Sequence, residues 1–231
     1  MKTLICSIVA LAAALACSPA HANECSTTTY GSYQSAYPYT LLNATATDKP
    51  VLQGGVTLSC NNWWLDVWGS KDLTGHERFG NEVYVTGAYA SSLRTSLGTF
   101  EYEAAVGYDA LPDFARTKDD IVEFRLELAL PLSFGSITVK PYIRPTGLIG
   151  FGVYENTMLI RSGVRFTIPV AQGVSLVGDA FDTQNLTNGN DTRRFYGSVK
   201  VNGGNGWSFK VGGKFAEREH SALEIGFSKT F

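Results

Sequence analysis

Residues 121–130 read Ile-Val-Glu-Phe-Arg-Leu-Glu-Leu-Ala-Leu, and the rhythm of that stretch decides the fold. Val122, Phe124, Leu126, Leu128 and Leu130 alternate with Glu123, Arg125, Glu127 and Ala129. Successive side chains of a β-strand point to opposite faces, so a period of two puts the apolar groups on one face and the charges on the other. The same alternation continues towards the C-terminus. Ile137 and Val139 interleave with Thr138 and Lys140, and Ile160, Val164, Phe166 and Ile168 with Arg161 and Arg165. Phe195, Val199 and Val201 interleave with Arg194 and Lys200, and Trp207, Phe209, Val211 and Phe215 with Lys210 and Lys214. Leu223, Ile225, Phe227 and Phe231 share one last face, broken by Lys229. Towards the N-terminus Leu52, Val56 and Leu58 alternate with Gln53 and Thr57. Val83, Val85 and Tyr89 alternate with Glu82 and Thr86, and Phe100, Tyr102 and Val106 with Glu101 and Glu103. Residues 62–70 carry Trp63, Trp64 and Trp68 on both faces, which leaves that strand's orientation open, and Thr, Ser and Tyr fill both sides of residues 26–37.

About twelve such strands follow one another, and their connections alternate in length. Short turns fall near residues 60–61, 91–96, 133–135, 171–173 and 202–206. Longer loops fall at 41–49, 71–80, 109–119, 146–157, 183–192 and 216–221. A soluble sandwich has no reason to sort its loops by parity, whereas an outer-membrane barrel has short turns on the periplasmic side and long loops outside. The expected fold is therefore all-β: a transmembrane antiparallel β-barrel of meander topology, whose closure leaves no strand edge in lipid. Pro141 and Pro145 conflict with this, since each removes a ladder hydrogen bond from the seventh strand. A bulge or an early strand end near Pro145 would absorb it, and the residues do not choose between the two.

Composition agrees. Charged residues make up 17% of the 231-residue chain, below the roughly 25% of soluble domains, and aromatics reach 12%. With 19 basic and 21 acidic residues, the basic excess of a nucleic-acid binder is missing. Beyond residue 22 no apolar stretch approaches the length of a membrane-spanning helix. Residues 1–22 read as a signal peptide: Lys2, an apolar run over 4–17, then small residues ending in Ala22. Cleavage after Ala22 would leave 23–231 as the barrel. A rival reading cuts before Cys17 and lipidates it, although Ala14 fits that pattern only loosely. Cys6 and Cys17 leave with the leader. Cys25 opens the first strand and Cys60 closes the second, so a hairpin brings both to the periplasmic end, where an exported pair forms a disulfide. Phe231 ends an alternating strand, which resembles the C-terminal signal read by the barrel-assembly machinery.

Several motifs resemble the TorF family of outer-membrane porins. They are Lys49-Pro-Val-Leu-Gln-Gly-Gly-Val56, Asp66-Val-Trp-Gly-Ser70, Gly80-Asn-Glu-Val-Tyr84 with Gly87 and Tyr89, and Phe100-Glu-Tyr-Glu103 through Val106-Gly-Tyr108 to Pro112. The match covers about residues 49–112. The family's Tyr-x-x-Arg-Gly has no counterpart here, because residues 37–43 contain no Arg. The resemblance implies a barrel and transport, and brings no catalytic residues.

If apolar faces meet lipid, the other faces line a lumen. The middle strands then contribute Asp66, Glu82, Glu101, Glu103, Glu123 and Glu127, with Arg125 the lone cation. Later strands contribute Lys140, Arg144, Arg161, Arg165, Arg194, Lys200, Lys210 and Lys214, with Asp179 the main anion. Acid and base fall on opposite arcs, which across water would set a transverse field and an ion preference. The expected activity is a narrow channel for ions or small polar solutes, in the outer membrane of a Gram-negative bacterium. A closed-lumen structural or surface-recognition barrel, with the arcs paired, is the alternative. A lipid-modifying barrel enzyme is less favoured: His220 and Ser221 would point oppositely on an extended chain, and His76 stands alone in a loop. The loops at 71–80 and 109–120 would be exposed and solvated. No metal or other cofactor is expected, and no His or Cys pair has ligand spacing. Asn43, Asn185 and Asn190 head glycosylation sequons that an envelope protein of this kind does not use. The expected surroundings are outer-membrane lipid, with no nucleic acid.

Overall fold

The computed structural model describes residues 25–38, 45–74, 81–96, 98–110, 120–150, 156–217 and 221–231. Twelve long strands follow in chain order: β1 Cys25–Gln34, β2 Val51–Cys60, β3 Trp63–Asp72, β4 Glu82–Thr95, β5 Gly98–Ala110 and β6 Ile121–Ala129. The second half holds β7 Ile137–Gly150, β8 Thr157–Ala171, β9 Val174–Asn185, β10 Asp191–Asn202, β11 Trp207–Ala216 and β12 Ala222–Thr230. Each pairs antiparallel with its sequence neighbours. The sheet closes where β1 meets β12, from Thr28↔Thr230 to Gln34↔Glu224. The result is the closed 12-strand meander barrel that the alternation implies. Two short strands, Tyr37–Pro38 and Thr45–Thr47, pair with each other apart from the wall, and Leu132–Phe134 continues β6 beyond Pro131 against β7.

The two faces of each strand differ in the way the sequence requires. On β5, Ala105 and Asp109 are enclosed, while Val106 and Tyr108 between them face outward at 52% and 41% exposure. On β6, Glu123 and Glu127 are buried, whereas Phe124, Leu126 and Leu128 stand on the outside. The orientation of β3 is settled by register: Asp66 pairs with Thr57 on the enclosed face, so Trp64 and Trp68 point inward and Trp63 outward. An apolar exterior of this kind is stable in lipid and would aggregate in water.

The prolines are absorbed in a third way. β7 runs unbroken from Ile137 to Gly150, and its ladder with β8 has no register shift. On the β6 side the ladder pairs Tyr142↔Ala129 and Ile143↔Leu128, skips Arg144 and Pro145, and resumes at Thr146↔Arg125 in the same register. The missing Pro145 N–H thus costs a local gap, with neither a bulge nor a strand end.

The short connections lie at one end, where Asn61 (φ 51°) and Gly173 (φ 73°) supply the left-handed backbone that tight hairpins need. The Cys25–Cys60 disulfide sits there, between residues directly paired across β1 and β2 with Cα atoms 4.2 Å apart. Phe231 continues the seam at the same end, donating its N–H to the Thr27 carbonyl at 2.9 Å. Residues 1–22 lie outside the described residues.

Candidate functional site

The charged residues of the alternating pattern lie along the enclosed face of the barrel. From β3 to β6 come the carboxylates. Asp66 accepts from Thr57 at 2.5 Å and from the Tyr30 hydroxyl at 2.8 Å. Glu103 accepts from the Trp64 indole at 3.1 Å and from Arg125 at 3.2 Å. Glu123 accepts from Tyr84 and stands 3.8 Å from Arg125. Glu82 is 2% exposed and accepts the Tyr37 hydroxyl.

Charges of opposite sign on β5 to β9 interlock. Lys140 on β7 reaches Glu101 on β5 at 2.5 Å. Glu127 holds two guanidiniums: Arg144 through Nε at 2.7 Å, and Arg165 through a fork at 2.5 and 2.8 Å. Arg165 also stands 3.4 Å from Asp179, which accepts the Tyr142 hydroxyl at 3.0 Å. Farther round, Lys210 pairs with Glu224 at 2.8 Å and Lys214 donates to Gln34 at 3.0 Å. Arg161 lies over the Phe181 ring, 4.3 Å from its centroid, and donates to Thr183. Arg194 is 3% exposed, whereas Lys200 is exposed towards the short-turn end. These ties follow the wall between strands one or two apart.

Among the described residues at least four cavities border the enclosed face, one of about 460 Å³ lined by Glu101, Glu103, Glu127, Lys140 and Arg165 at the short-turn end. The largest, about 470 Å³, is lined by Lys140, Arg165, Asp179, Tyr196, Lys210, Lys214 and Glu224 among others. A second of about 380 Å³ shares Lys210, Lys214 and Glu224 with it and adds Lys200, Gln34 and Trp68. The smallest, about 230 Å³, shares Trp68 with the second and lies towards the long-loop end. There Tyr37 turns in over Trp68, with ring centroids 6.1 Å apart, and Ile121, Leu148 and Leu159 pack together on the enclosed face. The interior is therefore wider towards the short turns, where both bases and carboxylates line it, and narrow towards the long loops.

Several of these participants escaped sequence reading. Glu224 stands between Leu223 and Ile225, whose apolar alternation dominates the last strand. Ile121, Leu148 and Leu159 are apolar residues in the polar phase of their strands, a signal that careful parity counting exposes. Tyr30, Tyr84 and Tyr142 each bond an enclosed carboxylate; Tyr84 shares the polar phase of Glu82 and Thr86, whereas nothing in the spacing marks Tyr30 as inward on a strand whose other face carries Tyr33. The expectation of a solvated loop over 109–120 fails at both ends. Asp109 belongs to β5 and is 2% exposed, and Asp120 is 4% exposed and accepts the Tyr108 hydroxyl. Asn185 is buried and organises the β9–β10 turn, accepting the Thr187 N–H at 2.9 Å. Asn43, His76 and His220 lie outside the described residues. Among the described residues, no group of three or more His, Cys, Asp or Glu is arranged to hold a metal ion.

No family model matches the chain, and no curated protein matches it in sequence. Solved structures do match its fold. The KdgM porin superposes with a TM-score of 0.59 at 10% identity, over 89% of this chain and 99% of that one. The same porin in complex with disordered oligogalacturonate gives 0.58 at 10% identity, with the same coverage. An outer-membrane channel from Pseudomonas putida F1 gives 0.54 at 13% identity, over 90% of this chain and 96% of that one. The chain thus has the fold of outer-membrane channel barrels.

Proposed function

We propose that the chain is a narrow outer-membrane channel for ions and small polar solutes, of the TorF type. In this reading residues 1–22 direct export and are removed after Ala22, and Phe231 is the signal for the barrel-assembly machinery of a Gram-negative envelope. The outward apolar face meets outer-membrane lipid. The lumen is lined by an acidic arc of Glu82, Glu101, Glu103, Glu123 and Glu127, with Arg125. The basic arc facing it consists of Lys140, Arg144, Arg161, Arg165, Lys200, Lys210 and Lys214. The observation that carries the proposal is the set of charged, adjoining cavities inside a closed wall, since a filled barrel would occupy that volume with side chains. Fold likeness to channel barrels supports it at the level of architecture.

A second reading is a structural barrel with a closed lumen. The ion pairs of Glu101 with Lys140 and of Glu127 with Arg144 and Arg165 favour it, because they neutralise part of the field. Planar-bilayer recording from refolded residues 23–231 decides between the two. Stepwise conductance is the expected result, and a folded barrel that stays silent supports the closed reading.

A further inference from the structure

The cavity of about 380 Å³ lies against the seam where the barrel closes, and its charges do not balance. Three ammonium groups line it, Lys200 on β10 with Lys210 and Lys214 on β11, against a single carboxylate, Glu224 on β12. On β7 and β8, by contrast, each of three cations is matched at close range. Lys140 meets Glu101, Arg144 meets Glu127, and Arg165 lies between Glu127 and Asp179. Asp66 on β3 does not line this cavity, and it accepts the Thr57 and Tyr30 hydroxyls.

The three lysines keep donors to spare. Lys210 pairs with Glu224 at 2.8 Å, and Lys214 donates to the Gln34 side chain at 3.0 Å, with the Tyr196 ring 5.5 Å away. An ammonium carries three N–H donors, so one such bond leaves two. Lys200 has no ion pair or side-chain hydrogen bond among the described residues. It stands directly opposite Lys210 in the β10–β11 ladder, and like charges so placed destabilise a sheet. The Lys210 arm is laid across Gly226, where an added Cβ would come 2.8 Å from its Cε.

We propose that this cavity is a binding site for small divalent oxyanions, namely phosphate and the phosphate head of small phosphorylated solutes. Lys200 and Lys210 clamp the anion between them, and Lys214 flanks it four residues along β11. The proposal rests on the channel reading, because the solute must arrive through the lumen. Charge selects the class. Three ammoniums against one carboxylate leave two positive charges, which a dianion neutralises and a monoanion only halves. The relief of the Lys200–Lys210 repulsion comes with binding, and lysine suits phosphate as a point charge. The adjoining cavity of about 470 Å³, which shares Lys210, Lys214 and Glu224, leaves room for an organic body of several carbons.

The test records current in potassium chloride through refolded residues 23–231 in planar bilayers. It is run at about pH 8, where phosphate is mostly doubly charged. Inorganic phosphate, glucose 6-phosphate, acetate and glucose are the probes, and heat-modifiable migration verifies the folding of each variant. The two phosphates should reduce the current at concentrations at least about tenfold below acetate, the gain from one further charge-assisted contact, and glucose should not. Whichever phosphate acts at the lower concentration distinguishes a site for the free ion from one for its esters. Lys200→Gln and Lys210→Gln should each raise the half-blocking phosphate concentration by about fivefold or more. Glu224→Gln should lower it, a gain that a misfolded variant cannot imitate. Arg193→Gln, on the outward phase of β10, should leave it unchanged, which separates the site from overall charge. Acetate as effective as phosphate, a response that survives both lysine variants, or an equal shift in Arg193→Gln overturns the site. Calorimetry of phosphate binding to the detergent-folded protein separates the two claims. Binding without conductance refutes the channel reading and keeps the site, and conductance without binding does the reverse.

Discussion

Removing the Glu127 carboxylate is the perturbation to which the interior should respond most. Glu127 is the shared acceptor of Arg144 and Arg165, with its side chain 11% exposed and theirs 20% and 32%. Glu127→Gln keeps the volume and deletes the charge, so two guanidiniums lose their main counterion at once. For a fully buried pair, breaking one partner costs about 3–5 kcal/mol, and for a surface pair about 0–1 kcal/mol. The partial exposure here places the cost between, at about 2 kcal/mol. The assay is urea unfolding of the refolded barrel in micelles, followed by tryptophan fluorescence, with reversal potential measured in parallel. The midpoint should fall, and the reversal potential should move towards anion preference, since the lumen gains one net positive charge. Adding Arg165→Gln should recover part of the stability, with a coupling between the two sites of about 1 kcal/mol or more. Unchanged midpoint and unchanged reversal potential in Glu127→Gln would refute the claim that this junction holds the two arcs together.

Reduction of the Cys25–Cys60 bond, which spans 35 residues of chain, should destabilise the barrel by about 3–4 kcal/mol on loop-entropy grounds, read as a lower urea midpoint with dithiothreitol. Identical non-reducing and reducing gel mobility, with two titratable thiols, would count against it. Gly55→Ala should cost about 1–3 kcal/mol, because a Cβ there would lie 2.7 Å from both the Tyr30 ring carbon Cζ and the Val67 carbonyl oxygen. The same variant with Tyr30→Phe should be no better, since the clash with the Val67 carbonyl remains. Cysteines placed at Glu123 or Arg165 should react with water-soluble thiol reagents, whereas cysteines at Leu126 or Val164 should be protected by lipid; reversed labelling contradicts the assignment of faces.

The barrel was legible because its signal is long. Nine alternating segments and a parity in loop length constrain the fold far more than any single strand does. Residues 121–130 alone assign both faces correctly. Legibility fails where both phases carry the same chemistry. Trp63, Trp64 and Trp68 could not be placed until Asp66 was seen opposite Thr57, since an indole satisfies lipid and lumen alike. Pro145 could not be placed because skipping two ladder positions without a register change is a property of the neighbouring strand as much as of β7. Parity can propose which charges share a face, but it cannot give their partners. Glu127 meets Arg165 two strands away because of stagger between strands, which residue spacing does not encode. Tyr37 turning inward to Glu82 belongs to the same class of tertiary fact.

The central claim is that the enclosed basic face borders a conducting, water-filled path. Reversal potential across a potassium chloride gradient, compared between the native chain and Arg161→Gln with Arg165→Gln, tests it most directly. The account predicts stepwise currents whose preference shifts towards cations when the two guanidiniums are neutralised. Currents with an unaltered reversal potential, or a folded barrel that conducts nothing, would contradict it.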